Sequence, residues 1–171
     1  QIACTRKTTW GLLDKWAVHL GGGLTHRLNR EDALMIKEND LASMDDASND
    51  NNERIAKFIQ ELDVEQLNSF LEIEVRTEKE AITAAAIWQN THGESGHKAV
   101  IMLDNFGPEK SKQVVSQLED MGLRDAVYLE ASGNITHEKL EQWFECGIDV
   151  LSTSAINRGV KPLDMSMIFG D

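Results

Sequence analysis

Short apolar runs alternate with longer amphipathic segments along the whole chain. The runs are four to six residues long and rich in aliphatic side chains, which is typical of buried strands. We predict six strands, at 2–5 (IACT), 33–37 (ALMIK), 70–75 (FLEIEV), 99–103 (AVIML), 126–130 (AVYLE) and 150–153 (VLST).

The segments between these strands have the periodicity of amphipathic helices. We predict helices at 12–21, 53–62, 78–89, 108–122 and 136–147. Thr77 and Thr136 are expected to act as N-caps. The first helix has its apolar residues on one face, which we expect to be buried: Leu12, Leu13, Trp16, Ala17 and Leu20. Trp16, Trp88 and Trp143 are predicted core residues. Strands that alternate with helices indicate a mostly parallel sheet, in either a barrel or an open doubly wound fold.

Composition favours one ordinary α/β domain over residues 1–171. Of the residues, 41% are hydrophobic and 27% are charged, as in a water-soluble protein. The net charge of −12 argues against nonspecific nucleic-acid binding, and no apolar run is long enough for a membrane helix. Cys4 and Cys146 are two isolated thiols, which suggests a reducing, cytoplasmic location.

Polar, charged or small residues follow every predicted strand. Because the carboxyl ends of the strands in a parallel α/β barrel meet at one rim, these residues are expected to form a single site. They are Thr5-Arg6-Lys7, Lys37, Glu74, Asp104-Asn105, Ser132-Gly133-Asn134 and Ser154-Ala155.

The residue types at this rim indicate anionic ligands. The first thirty residues carry a net charge of +4 in a chain of −12, and such cations can hold phosphate or carboxylate groups. Glu74 and Asp104 could bind sugar hydroxyls or share Mg²⁺ with a diphosphate. Glu72 points to the same face of its strand as Glu74, and one of the two could be a simple surface charge. Glycine and serine turns after the last strands often hold a phosphate. Together these features suggest a phosphosugar diphosphate as ligand.

Eight ordered motifs, covering essentially the whole chain, resemble those of the quinolinate phosphoribosyltransferases. They are ACTRKT (3–8), WGLLDKWAV (10–18), GGGLTHR (21–27), LMIKEND (34–40), EIEVRT (72–77), IMLDNF (101–106), EASGN (130–134) and LSTSAINRGVKPLDMSM (151–167). The resemblance implies an incomplete, open α/β barrel, the C-terminal domain of a type II phosphoribosyltransferase. It also implies a cytoplasmic pentosyltransferase of NAD biosynthesis, which converts quinolinate and phosphoribosyl pyrophosphate to nicotinate mononucleotide, pyrophosphate and CO2. The family's N-terminal α+β domain is not present in these 171 residues, and a homodimer or larger homo-oligomer is implied for the intact protein.

The resemblance further assigns roles to individual residues. Quinolinate's carboxylates are assigned to Arg6, His26, Arg27 and Lys37. Lys7 and Lys37 lie between the acid and the diphosphate, and Glu74 and Asp104 hold the ribose hydroxyls and Mg²⁺. The catalytic set is thus Lys7, Lys37, Glu74 and Asp104. The remaining substrate-binding residues are Thr5 and the 5′-phosphate loops formed by Ser132, Gly133, Asn134, Thr153, Ser154 and Ala155.

Four residues depart from the family pattern: Trp10, Asp40, Ser154 and Arg158. They leave open a related phosphoribosyltransferase-like protein with another substrate, such as the branch found with molybdenum-transport operons. Two other possibilities stay open: a catalytically incomplete phosphate-binding domain, and an aldolase-type enzyme in which Lys37 forms a Schiff base.

Overall fold

Six parallel strands form the centre of the computed structural model, which describes residues 1–44, 49–158, 160–161 and 163–169. The strands lie where the apolar runs predict them, and no end is shifted by more than two residues. They are β1 (Ile2–Cys4), β2 (Leu34–Ile36), β3 (Leu71–Val75), β4 (Ala99–Asp104), β5 (Val127–Ser132) and β6 (Val150–Thr153).

The order of the strands in the sheet is that of an opened barrel. Along the sheet they run β1, β6, β5, β4, β3, β2, and every pair is parallel. Strands β2 to β6 are therefore neighbours in chain order, and β1 follows β6 as it would in a closed ring. Within the described residues β1 and β2 do not pair, so the ring is open between them. This confirms the prediction of an incomplete parallel α/β barrel.

Five α-helices accompany the strands in the described part of the chain. They are α1 (Leu12–Leu20), α2 (Glu38–Ala42), α3 (Asn51–Glu61), α4 (Glu78–His92) and α5 (Gly107–Asp120). Thr77 caps α4 as predicted: its hydroxyl accepts the Glu80 N–H, and the Glu80 carboxylate reaches back to the Thr77 N–H. The short helix α2 was not predicted. No described helix is long and apolar enough to cross a membrane.

The helix predicted at 136–147 is shorter and is not an α-helix, since residues His137–Trp143 form a 3₁₀-helix. Thr136 stands at its N-cap position, but its side chain makes no capping hydrogen bond to the backbone. Trp143 is its one buried residue, so little tertiary packing favours a longer α-helix here. The predicted polar loop at 44–52 is only partly described, because residues 45–48 lie outside the described ranges.

The main core lies between the sheet and helices α3, α4 and α5. It includes Ile59 of α3, Trp88 of α4 and Leu118 of α5, all essentially inaccessible to solvent. A second cluster contains Trp143 and Leu151 beside β6. The core positions predicted for Trp88 and Trp143 are therefore confirmed.

The prediction of a buried apolar face on α1 is wrong. Leu12, Leu13, Trp16 and Leu20 are 61–70% exposed, and Ala17 is exposed as well. The buried residues of α1 are instead Val18 and Lys15, whose Nζ donates to the carbonyl oxygens of Cys4 (3.0 Å) and Thr25 (2.5 Å). Because α1 follows the edge strand β1, none of the described elements covers its outer face. An apolar face of this size commonly marks an interaction surface.

Candidate active site

An open cavity of about 1110 Å³ lies at the carboxyl ends of the strands. All fourteen residues predicted from the sequence line it. They are Thr5, Arg6, Lys7, His26, Arg27, Lys37, Glu74, Asp104, Ser132, Gly133, Asn134, Thr153, Ser154 and Ala155. The strand ends thus meet at one mouth, because six parallel strands place all their carboxyl termini on one rim of the sheet.

Cations occupy one side of the cavity, next to the open edges of the barrel. Arg6 and Lys7 follow β1 and are exposed, and the Lys7 carbonyl accepts a hydrogen bond from Asn157 Nδ2 at 3.1 Å. Arg27 is half-buried, and its guanidinium donates to the Ala33 carbonyl at 3.4 Å. Arg30, which was not singled out from the sequence, also lines the cavity. This side of the cavity therefore offers several positive charges to an anion.

Lys37 and Glu74 form an ion pair across the ends of β2 and β3. Burial lowers the pKa of Lys37, although the neighbouring carboxylates of Glu72 and Asp104 oppose that effect. The backbone N–H of Lys37 donates to the Asp40 carboxylate at 2.9 Å. This hydrogen bond caps the N-terminus of helix α2, where Lys37 is the N-cap residue. The Asp40 carboxylate that departs from the family pattern thus has a local structural role.

Asp104 lies at the end of β4, directly beside Ser132 of β5 in the strand register. Its half-buried side chain lines the cavity, and within the described residues its carboxylate makes no hydrogen bond or ion pair. Glu74 lies on the next strand, beside Met102. Both carboxylates are therefore placed to meet hydroxyl groups or a hard cation in the cavity.

The loops after β4 and β5 have unusual backbone conformations. Asn105, Gly133 and Asn134 all have positive φ values, of 58°, 96° and 54°. Asn134 Nδ2 donates to Asn105 Oδ1 at 2.9 Å, and the Asn105 N–H donates to the Ser132 carbonyl at 2.8 Å. Left-handed backbone at a loop turns successive N–H groups to one side, where they can bind an anion.

The turn after β6 is held by a side chain. Thr153 Oγ1 donates to the Ile135 carbonyl at 2.6 Å and accepts the Ala155 N–H at 3.0 Å. The Thr153 hydroxyl is buried, so this bridge fixes the loop that carries Ser154 and Ala155 against the loop after β5. The two predicted phosphate loops are thereby joined.

A buried cluster of His26, Glu72 and Glu130 lies at the wall of the cavity, which His26 and Glu130 line, and sequence reasoning missed most of it. His26 Nε2 lies 3.1 Å from Glu130 Oε2 and 3.2 Å from Glu72 Oε2. Glu72 is fully buried, so the surface interpretation of the Glu72–Glu74 pair is wrong for Glu72. The available signal was a glutamate inside an apolar strand, between Leu71 and Ile73 in β3 and between Leu129 and Ala131 in β5.

The cluster shifts the ionisation of its members. Burial of the ring favours neutral His26, but the hydrogen bonds and charges of Glu130 and Glu72 outweigh it and raise the pKa of His26 to about 9. Burial raises the pKa of Glu72, against the opposing effect of His26. His26 itself has a left-handed backbone, with φ of 54°.

Fold and site together define an open parallel α/β barrel with cations and carboxylates at its mouth. Residues 1–168 match the model of the family described as quinolinate phosphoribosyl transferase, C-terminal domain. The chain belongs to this family.

Curated relatives agree along nearly the whole chain. A probable nicotinate-nucleotide pyrophosphorylase [carboxylating] of Methanothermobacter thermautotrophicus is 35% identical over 98% of this chain and 55% of its own length. The chloroplastic nicotinate-nucleotide pyrophosphorylase [carboxylating] of Arabidopsis thaliana is 34% identical over 95% of this chain and 47% of its own. The chain therefore spans about half the length of the curated relatives it matches.

Solved structures share the fold. NadC from Streptococcus pyogenes matches with a TM-score of 0.74 and 29% identity, over 99% of this chain and 53% of that one. The nicotinate-nucleotide pyrophosphorylase from Francisella tularensis matches with a TM-score of 0.70 and 33% identity, over 94% of this chain and 50% of that one. The open barrel is therefore the fold of these structures as well.

Proposed function

We propose that the cavity transfers phosphoribose from phosphoribosyl pyrophosphate to quinolinate, giving nicotinate mononucleotide, pyrophosphate and CO2. This reaction belongs to de novo NAD synthesis and makes the protein a pentosyltransferase. The observation that carries the proposal is that cations, carboxylates and the loops after β5 and β6 converge on one cavity in a chain of this family.

The proposed binding mode divides the cavity by charge. Arg6, His26, Arg27 and Lys37 hold the two carboxylates of quinolinate, which need several cations to replace water. The loops at 132–134 and 153–155 hold the 5′-phosphate through backbone N–H groups. Glu74 and Asp104 accept hydrogen bonds from the ribose hydroxyls, which places C1′ between the two anion sites.

In the reaction the pyridine nitrogen forms a bond to C1′ as the bond from C1′ to the diphosphate oxygen breaks. Lys7 and Lys37, between the acid and the diphosphate, stabilise the negative charge that grows on the leaving group. The carboxylate next to the ring nitrogen then leaves as CO2, since the positively charged pyridinium stabilises the electron pair left on that ring carbon. A proton from solvent then bonds to the same carbon and completes nicotinate mononucleotide. Orientation of the ring against C1′ is the main contribution of the cations to the rate.

We further propose that Mg²⁺ assists the reaction. The carboxylates of Asp104 and Glu74 fit this ion, since Mg²⁺ takes one or two carboxylates together with phosphate oxygens and water. When bound, the ion neutralises charge on the diphosphate. We expect the Asp104 carboxylate to be the main ligand of the ion, because Glu74 already forms an ion pair with Lys37.

This chain covers only about half of the relatives' length, and the half that it does not cover supports a proposal about the intact protein. A further α+β domain and a second copy of the chain would both bring surface to the cavity's open side and to the exposed face of α1. We therefore propose that the intact protein is a homo-oligomer. We also propose that it is a cytoplasmic enzyme, since both of its cysteines are free thiols.

The test is steady-state kinetics of pyrophosphate release with quinolinate, phosphoribosyl pyrophosphate and Mg²⁺. Asp104→Asn is expected to lower turnover on the order of 10²-fold, because it removes one charged ligand from the reacting groups. Asp120→Asn, at the exposed end of α5, is the matched control and should leave turnover unchanged. Equal turnover in Asp104→Asn and the wild type would exclude Asp104 from the mechanism. Borohydride trapping of Lys37 with a carbonyl substrate would instead support an aldolase.

A further inference from the structure

The proposed binding mode leaves two buried glutamates, Glu72 and Glu130, without a role. They lie on different strands, β3 and β5, with β4 between them, and both side chains point to the cavity side of the sheet toward His26. Their side chains are almost inaccessible to solvent. Burying two carboxylates is costly unless a cation or proton compensates them.

His26 is the group that compensates them. Its Nε2 donates to Glu130 Oε2 at 3.1 Å and lies 3.2 Å from Glu72 Oε2, which makes an ion pair but no hydrogen bond among the described residues. One ring nitrogen thus lies against both carboxylates. The other ring nitrogen, Nδ1, has no hydrogen-bond partner among the described residues, and His26 lines the cavity. Nε2 thus contacts the two buried glutamates, and Nδ1 is available to a ligand.

The surroundings of the ring hold it in this orientation. The edge of the Phe70 ring packs against the imidazole, with centroids 5.7 Å apart and an interplanar angle of 80°. His26 also has a positive φ, of 54°, a backbone conformation that is uncommon for residues other than glycine. The charged groups that face the cluster are Glu72 on β3, Glu130 on β5, Arg27, the next residue along, and Lys37 at the end of β2.

We propose that Glu72 and Glu130 are positioning residues that keep His26 doubly protonated, so that its Nδ1–H donates to a carboxylate of the acceptor substrate as a permanent cation. The assignment rests on the proposed function for the identity of that acceptor. An ordinary histidine would lose its charge at the pH of the cytoplasm and would then bind a carboxylate weakly. The raised pKa of His26 agrees with this geometry.

The direct test is an NMR titration of the histidine ring nitrogens in the wild-type chain, from pH 6 to pH 9.5, with His26 assigned by comparison with His26→Asn. His26 is expected to keep both ring protons at pH 8. A pKa of about 9 leaves the ring charged in about 90% of molecules at that pH, against about 3% for the ordinary value of 6.5, a ratio of about 30. A midpoint near pH 6.5 in the wild type would overturn the proposal without any mutation.

Glu130→Gln separates charge from packing, because the amide oxygen can still accept the Nε2–H. In this variant His26 should titrate closer to 6.5. The KM for quinolinate should then rise about 10-fold or more between pH 6 and pH 8, with a smaller change in kcat. Glu119→Gln, on the exposed surface of α5, is the matched control and should follow the wild type, whose KM changes little over this range.

The outcomes distinguish this proposal from the proposed function. Absence of transfer to quinolinate in the wild type would refute the function, whereas the titration would still report the charge of His26. Normal transfer with the same pH dependence of KM in Glu130→Gln and the wild type would refute the role of the glutamates alone.

Discussion

The side-chain amide of Asn134 donates to the amide oxygen of Asn105 over 2.9 Å and so joins the loops that follow β5 and β4. Both asparagines have left-handed backbones, which asparagine tolerates better than most residues. Gly133 lies directly against this bridge: a Cβ atom at Gly133 would stand 2.2 Å from Asn105 Oδ1. The bridge therefore requires glycine at position 133.

Gly133→Ala is predicted to disrupt this loop and weaken binding of phosphoribosyl pyrophosphate. The methyl group must displace the Asn105 side chain, and alanine is strained at a φ of 96°. We expect a loss of about 1–3 kcal/mol in the free energy of unfolding and a weaker affinity for the ligand, measured by denaturant titration and calorimetry.

Gly96→Ala is the control for backbone strain. Gly96 also has a positive φ, of 77°, but a Cβ atom there would have no neighbour within 4 Å. It should lose about 1 kcal/mol of stability and keep the wild-type affinity. Equal affinities in the two alanine variants would contradict the role of the loop at 133.

Lys15→Met is predicted to destabilise the chain by about 2–3 kcal/mol. The buried ammonium group donates to the carbonyls of Cys4 and Thr25, and methionine would leave both acceptors without that donor. These bonds tie α1 to the end of β1 and to the segment before His26. Lys139→Met, at an exposed position, should change the stability little, and chemical denaturation of both variants provides the comparison.

The stability of the chain is predicted to fall between pH 6.5 and about pH 9. Because the pKa of His26 is raised in the folded state, its contribution is fully present below the unfolded value of 6.5 and is lost as the pH rises through 9. The change is on the order of 2–3 kcal/mol. Denaturant midpoints measured across this range should fall, and the slope should be shallower in Glu130→Gln. A flat profile for the wild type would show that His26 gains no partner on folding.

The strands and the rim were predictable because they depend on local signals. Each strand is an apolar run, and parallel topology alone brings Lys37, Glu74 and Asp104 to one mouth. The exposure of the apolar face of α1 was not predictable. Periodicity identifies such a face, which includes Trp16, but does not show whether another element packs on it. The same limit applies to strand alternation, which placed Glu72 on the face of Glu74 without showing that it is buried.

The His26 cluster needed the folded chain for another reason. His26, Glu72 and Glu130 come from three separate parts of the sequence, and the histidine and Glu130 are 104 positions apart. Only the strand order, which puts β3 and β5 on either side of β4, brings them together. Long-range pairing of this kind has no local signature in one sequence.

Binding of phosphoribosyl pyrophosphate with Mg²⁺, measured by isothermal titration calorimetry on this 171-residue chain, tests the central claim most directly. The phosphate loops and both carboxylates lie within these residues, so we predict one binding site per chain, weakened in Asp104→Asn and in Gly133→Ala but not in Asp120→Asn. Absence of binding in the wild type, or equal affinity in all four proteins, would contradict the assignment of the cavity.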